Sequence, residues 1–232
     1  MRPRPTNAVT LTNRQIERYS RQIIVEKFGG VAQERLIAAR ILLVSDNADA
    51  EAVLAYLVGA GVGNIDLRAN LDVALRDAIV ARMRDLNSDS TVAIGAAGAP
   101  ELANFDLAIA IVGDAATLDQ ARALCDRRSN FAIVLARVDQ PAKLAVISAR
   151  PPCPQCASAG ELLAPIGPRA DNAGFIATLA VLEAMKLLIR YAPTPKPTLV
   201  EFSGYESSAR IFNSVAGAAC GCDAARAAKV PR

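Results

Sequence analysis

Histidine is absent from the chain. That removes imidazole as a general base, as a metal ligand and as the partner of a nucleophilic serine or cysteine. Aromatic residues make up only 4% of the 232 positions, so Ala, Val and Leu carry most of the 52% apolar content. Such a composition suits a soluble α/β domain. No run approaches the ~18 uninterrupted apolar residues of a membrane span. The opening stretch, MRPRPTNAVTLTNRQ, is basic and polar and has no apolar signal core; a cytoplasmic location is expected. A net charge of +3 is too small and too dispersed to point to nucleic acid. The five cysteines, in a chain of this character, point to metal or redox chemistry rather than disulfides.

What is present is an alternation of apolar runs and helical spacings. Helices are expected over 12–28, 31–39, 49–60, 71–86, 115–128 and 174–191. Strands are expected over 41–44, 64–68, 91–94, 106–112, 133–136, 144–148, 199–202 and 209–212. This order predicts a Rossmann-like, doubly wound, mostly parallel sheet with an N-terminal helical arm and a small antiparallel C-terminal extension. Residues 1–232 read as one domain, with 1–11 a flexible arm and 223–232 a flexible tail. The helix over 174–191 is expected to end at PTPKP.

The first strand, Ile41–Val44, leads into a turn where a nucleotide-binding βαβ unit places glycines, so that backbone N–H groups can meet phosphate. Here that turn reads Ser45, Asp46, Asn47, Ala48, Asp49, Ala50. Every Cβ narrows the cradle, and Asp46, Asp49 and Glu51 set negative charge where a polyanion would lie. A helix N-terminus welcomes carboxylates as it welcomes phosphate. These side chains are expected to cap the helix in the ligand's place. Gly59, Gly61 and Gly63 follow a helix rather than a strand, and read as a helix stop and a close-packing turn. Cys125 reads as a small buried residue, and Glu183 with Lys186 as a surface pair one turn apart.

Several motifs occur in a telling order: Arg18-Tyr19-Ser20-Arg21-Gln22-Ile23, Phe28-Gly29-Gly30 with Gln33, Gly59-Ala60-Gly61-Val62-Gly63, Arg82 to Asn87, Pro152-Cys153-Pro154-Gln155-Cys156, and Ala173 to Lys186. Together, over about residues 12–222, they resemble the ThiF/MoeB/HesA family, bacterial relatives of ubiquitin-activating enzymes. The resemblance implies ATP-dependent adenylation of the C-terminus of a ubiquitin-like or sulfur-carrier protein. It also implies what is missing. The phosphate-loop glycines are replaced. The acidic pair expected after the second strand is Ala69-Asn70. The loop that carries further phosphate contacts is deleted, and the metal-binding aspartate aligns with Gly113, leaving Asp114 one position late. ATP and magnesium are therefore not expected in this chain's own site.

Three roles remain. Cys153, Cys156, Cys220 and Cys222 could supply four thiolates to a closed structural zinc site; unmetallated or redox-active thiols are the alternative. Arg14, Arg18 and Arg21 fall on one helical face. This is either a solvated basic face or, as the resemblance implies for Arg21, a contact to phosphate across a dimer interface. The leading expectation is a non-catalytic subunit that dimerises with itself or with an active homologue and binds a small ubiquitin-like or sulfur-carrier protein. One alternative is an active adenylyltransferase with an altered nucleotide site, using Asp114 and Arg21. Another is a pocket for a cationic ligand or metal, lined by Asp46, Asp49 and Glu51.

Overall fold

The computed structural model describes residues 10–45, 49–95, 104–127, 132–147, 162–191, 198–203 and 208–213. Helices α1 (Asn13–Arg18), α2 (Ser20–Ile23) and α3 (Gly29–Ala38) precede strand β1 (Arg40–Ser45). Then come α4 (Ala50–Ala60), β2 (Asn64–Arg68), α5 (Val73–Leu86), β3 (Thr91–Gly95), β4 (Leu107–Val112), α6 (Ala115–Arg127) and β5 (Ala132–Arg137). Strand β6 (Ala142–Ile147), helix α7 (Ala173–Ile189), and strands β7 (Thr198–Ser203) and β8 (Ser208–Asn213) complete the described elements.

All eight strands form one sheet in the order β3-β2-β1-β4-β5-β6-β7-β8. The first five are parallel, and β6, β7 and β8 add antiparallel pairs. The expected doubly wound sheet with an antiparallel extension is what the chain forms. The order reverses between β1 and β4, so a crevice opens beyond the carboxyl ends of these two strands.

Alternation of side chains divides the core into two layers. Ile41 and Leu43 of β1 and Ile109 and Ile111 of β4 pack with α3, α4, α5 and α7. Leu42, Val44, Ala108, Ala110 and Val112 pack against Leu118, Ala121, Leu124 and Cys125 of α6. Burial on both faces is why β4 reads as the unbroken apolar run LAIAIV.

The expected helix over 12–28 is broken. Thr12 and Gln15 form a reciprocal capping box at the start of α1. Tyr19 then leaves helical geometry, and α2 ends at Ile23. Tyr19 is buried. Its hydroxyl donates to Asp89 Oδ2 at 3.2 Å and accepts from Asn87 Nδ2 at 2.8 Å, so tertiary packing overrides helical continuity here. Helix α5 starts two residues later than expected, because Asp72 Oδ1 accepts from Leu75 N at 2.8 Å as its N-cap. Helix α7 stops not at the prolines but at Arg190, in left-handed geometry, with its N–H directed to Leu187 and Lys186 carbonyls.

The glycines after α4 play the structural part assigned to them. Gly61 caps the helix at φ +87°, and a Cβ there would lie 2.8 Å from the Tyr19 ring. Among the described residues no helix is long and apolar enough to cross a membrane.

Candidate functional site

The crevice at the sheet reversal is bounded by the end of β1, the start of α4 and the turn after β4. Ser45, the last residue of β1, is 1% exposed, and its hydroxyl has no hydrogen-bond partner among the described residues. Its place in the β1 alternation, after Ile41 and Leu43, directs it to the α4 and α7 side of the sheet. Asp46, Asn47 and Ala48 lie outside the described residues.

Asp49 occupies the N-cap position of α4 but does not cap it. Its backbone sits at φ −102°, ψ −15°, and its side chain makes no cap hydrogen bond. An N-cap side chain reaches the N2 or N3 N–H from an extended backbone, which Asp49 lacks. Its buried carboxylate instead accepts from Arg169 Nη2 at 2.6 Å. Glu51 likewise does no capping. Its two oxygens take a bidentate pair from Arg82, at 2.5 and 2.9 Å. The expectation of carboxylate caps is corrected at both residues: each carboxylate answers a guanidinium. The same pairing weakens the reading of Asp49 and Glu51 as ligands for a cation. Ala50 is fully buried as the first residue of α4.

Arg169 is delivered by a firmly held segment. At the end of β5, buried Arg137 pairs with buried Asp139, with Nε to Oδ1 at 2.8 Å. Arg137 also donates to the carbonyls of Leu162, Ala164 and Pro165. The Gly167 N–H donates to Asp139 Oδ2 at 2.9 Å, and Arg169 bridges to Asp139 in antiparallel fashion. Burial alone would raise the Asp139 pKa. Hydrogen bonds from Arg137 and Gly167 and the Arg137 charge outweigh it and hold the carboxyl below its ordinary value. No motif pointed to this pair, because two residues two apart on a strand end carry no spacing signal.

Across the crevice, Asp114 follows β4. Its Oδ1 accepts from both Thr117 N and Thr117 Oγ1 at 2.7 Å, so it is engaged at the head of α6. On the other flank the segment between β2 and α5 is only Ala69 to Asp72, in keeping with a deleted loop. Ala69 is buried. Arg68 pairs with Asp66 at 2.9 Å and lies over Gly95, where a Cβ would meet Arg68 Nη1 at 2.5 Å.

The three arginines of the N-terminal arm are not equivalent. Arg14 binds Asp89 and Ser88, and Arg18 donates to the Leu86 carbonyl at 3.2 Å. Arg21 is exposed and makes no ion pair or hydrogen bond among the described residues. Glu183 and Lys186 form the expected pair at 2.6 Å, and Cys125 is buried, as expected. Cys153, Cys156, Cys220 and Cys222 lie outside the described residues. Among the described residues no group of three or more acidic or cysteine side chains could hold a metal ion.

Comparison with known proteins gives consistent answers. No family model matches the chain. Protein HesA, vegetative, of Trichormus variabilis is 29% identical over 79% of this chain and 80% of its own length. The molybdopterin-synthase adenylyltransferase of Salmonella typhimurium is 33% identical, over 50% of this chain and 43% of its own. Among solved structures, E. coli MccB with ATP superposes with a TM-score of 0.68 at 14% identity, covering 91% of this chain and 74% of that one. PaaA superposes with a TM-score of 0.65 at 13% identity, covering 92% and 78%. At such identities these two share the fold.

Proposed function

The chain belongs to the ThiF/MoeB/HesA family of activating-enzyme-like adenylyltransferases, and from that premise we propose that it is a subunit whose own nucleotide site is closed. It acts by assembly: it pairs with an active family member or with a second copy, and supports adenylation of a small ubiquitin-like or sulfur-carrier protein. The observation that carries this reading is the head of α4. The turn from Ser45 to Ala50 has no glycine, and Asp49, which closes it, is buried against Arg169. A triphosphate entering there would find the Arg169 guanidinium already paired with a buried carboxylate, and like charges at close range in a poorly hydrated site repel strongly. The engagement of Asp114 by Thr117 and the replacement of the ribose-side acids by Ala69 and Asn70 support the same reading.

Arg21 is the residue through which such a subunit would remain useful. Alone of the three arm arginines, it points no donor at its own chain among the described residues. A guanidinium offered across an interface can bind phosphate with two parallel hydrogen bonds. The four thiols Cys153, Cys156, Cys220 and Cys222 form a donor set that fits tetrahedral zinc and leaves no open position. Bound there, zinc would fasten segments and take no part in the chemistry.

Pyrophosphate exchange tests the reading directly. The purified chain with magnesium-ATP and a candidate carrier should give no exchange above a no-protein control. Exchange that titrates with the chain alone would reverse the conclusion in favour of an active adenylyltransferase. With an active homologue present, Arg21→Ala should lower exchange by roughly tenfold or more, the loss of a charge-assisted contact, while leaving the thermal midpoint of this chain in place.

A further inference from the structure

Helices α1 and α2 form an arm held to the body at few points. Neither contains a buried residue, and Ile16, Ile24 and Val25 are exposed. Tyr19, between the two helices, is 1% exposed. Its ring lies against the bare backbone of Gly61, where a Cβ would come 2.8 Å from it, and its hydroxyl joins Asn87 and Asp89. The socket that receives the ring is braced by its own contacts. Gln33 Nε2 donates to the Ala60 carbonyl at 3.0 Å and Asn87 Nδ2 to the Val58 carbonyl at 2.7 Å, both in the last turn of α4. The Asp89 N–H donates to Asn87 Oδ1 at 3.1 Å. Beyond Tyr19 the arm is fastened by exposed guanidiniums, Arg14 to Ser88 and Asp89 and Arg18 to the Leu86 carbonyl, contacts that water replaces at little cost. Docking also leaves Gln22 Oε1 buried with no hydrogen-bond partner among the described residues, an acceptor that water would satisfy if the arm lifted. The chain leaves the arm through Lys27 at φ +65° and Gly29 at φ +67°. The first of these left-handed positions is unfavourable for a residue with a Cβ. An arm with one buried side chain, polar edges and a strained joint opens locally before the core does.

We infer that Tyr19 is the positioning residue for Arg21. The arm turns about residues 27–29, and the Tyr19 ring in the Gly61 socket fixes where the exposed Arg21 guanidinium is offered to a partner. The inference rests on the role given to Arg21 above and deepens it, since it names what holds that residue in place.

Native-state hydrogen exchange of the full chain tests the anchor. In wild type the hydrogen-bonded amides of Ile16, Gln22 and Ile23 should be protected, but at least roughly a hundredfold less than those of β1 and β4. In Tyr19→Ala the arm amides should lose their protection while β1 and β4 stay protected. Tyr19→Phe, which keeps the ring and gives up the hydroxyl, should retain part of it. If Tyr19→Ala fails to fold, the wild-type profile and Tyr19→Phe decide. Arm amides as slow as those of β1 and β4 in wild type would make Tyr19 an ordinary core residue and overturn the inference. So would arm protection unchanged in the folded variants. The link to Arg21 is read in pyrophosphate exchange with an active homologue. There Tyr19→Ala should lower exchange about as far as Arg21→Ala, and the double variant should lower it no further. Additive losses would overturn this inference alone. Arg21→Ala without effect would overturn the role of Arg21 and the inference with it.

Discussion

At Gly63, a Cβ would sit 1.8 Å from the carbonyl oxygen of Ile37. The clash is with backbone, which cannot rotate away, and Gly63 N already donates to the Leu36 carbonyl at 3.0 Å. Gly63→Ala is therefore expected to cost about 3 kcal/mol or more, seen as a large fall in the denaturant midpoint or loss of soluble protein. Gly59, four residues earlier and inside α4, has nothing within 4 Å of such a Cβ, so Gly59→Ala should be neutral or slightly stabilising within the helix. The contrast separates packing glycines from a phosphate loop, which would need every glycine for ligand approach. Asp139 gives the second residue-scale prediction. Its folded pKa is lowered, so its contribution to stability is present above the ordinary carboxylate range and is lost as pH falls through the folded value. Asp139→Asn should abolish that acid dependence. At neutral pH it should cost about 3–5 kcal/mol, because Arg137 would be left buried without its counter-charge. Denaturant midpoints measured from pH 7 down to pH 2 check both parts.

At the scale of elements, capping and strand alternation explain what could be read in advance and what could not. Strand β2 was legible to the residue, because Ile65 and Leu67 alternate with Asn64, Asp66 and Arg68 and Gly63 marks its start. Strand β4 was legible because burial on both faces leaves it wholly apolar. The break at Tyr19 was not legible. Residues 12–28 carry helical spacing, and only the distant Asn87 and Asp89 reveal why the chain turns there. The same holds for the site. That the turn after β1 lacked glycine was plain from the residues, but that Asp49 would turn from the helix to Arg169, 120 positions away, depended on a tertiary contact with no local signature. Asp72 is a local signal of the opposite kind, an acid just before the apolar spacing of α5. Asp72→Ala should cost about 1 kcal/mol by chemical denaturation, with the m-value unchanged, because the exposed cap accepts from a single N–H.

At the scale of the molecule, the parallel half and the antiparallel extension are held in different ways. Strands β1, β4 and β5 contribute buried residues to both layers of the core. The extension beyond β6 depends on strand pairing and on α7, with Phe175 of the helix edge-on to Phe202 of β7 at 5.9 Å. Strand β8 lies at the margin of the sheet, and marginal strands are where local opening is least costly. The cysteine pairs flank this part of the chain in sequence, Cys153 and Cys156 before α7 and Cys220 and Cys222 after β8. A metal joining them would close a long loop that contains α7 and the marginal strands β7 and β8, and closing a long loop removes much freedom from the unfolded chain. The proposal that these four thiols hold one zinc therefore predicts a content of about one zinc per chain by elemental analysis, dropping to near zero in Cys156→Ser. The loss should lower the thermal midpoint by more than about 4 °C for a chain of this size. Hydrogen exchange should quicken first in β7 and β8 and leave β1 and β4 protected. Equal exchange across all eight strands, or full stability after chelation, would show that the extension holds itself without metal.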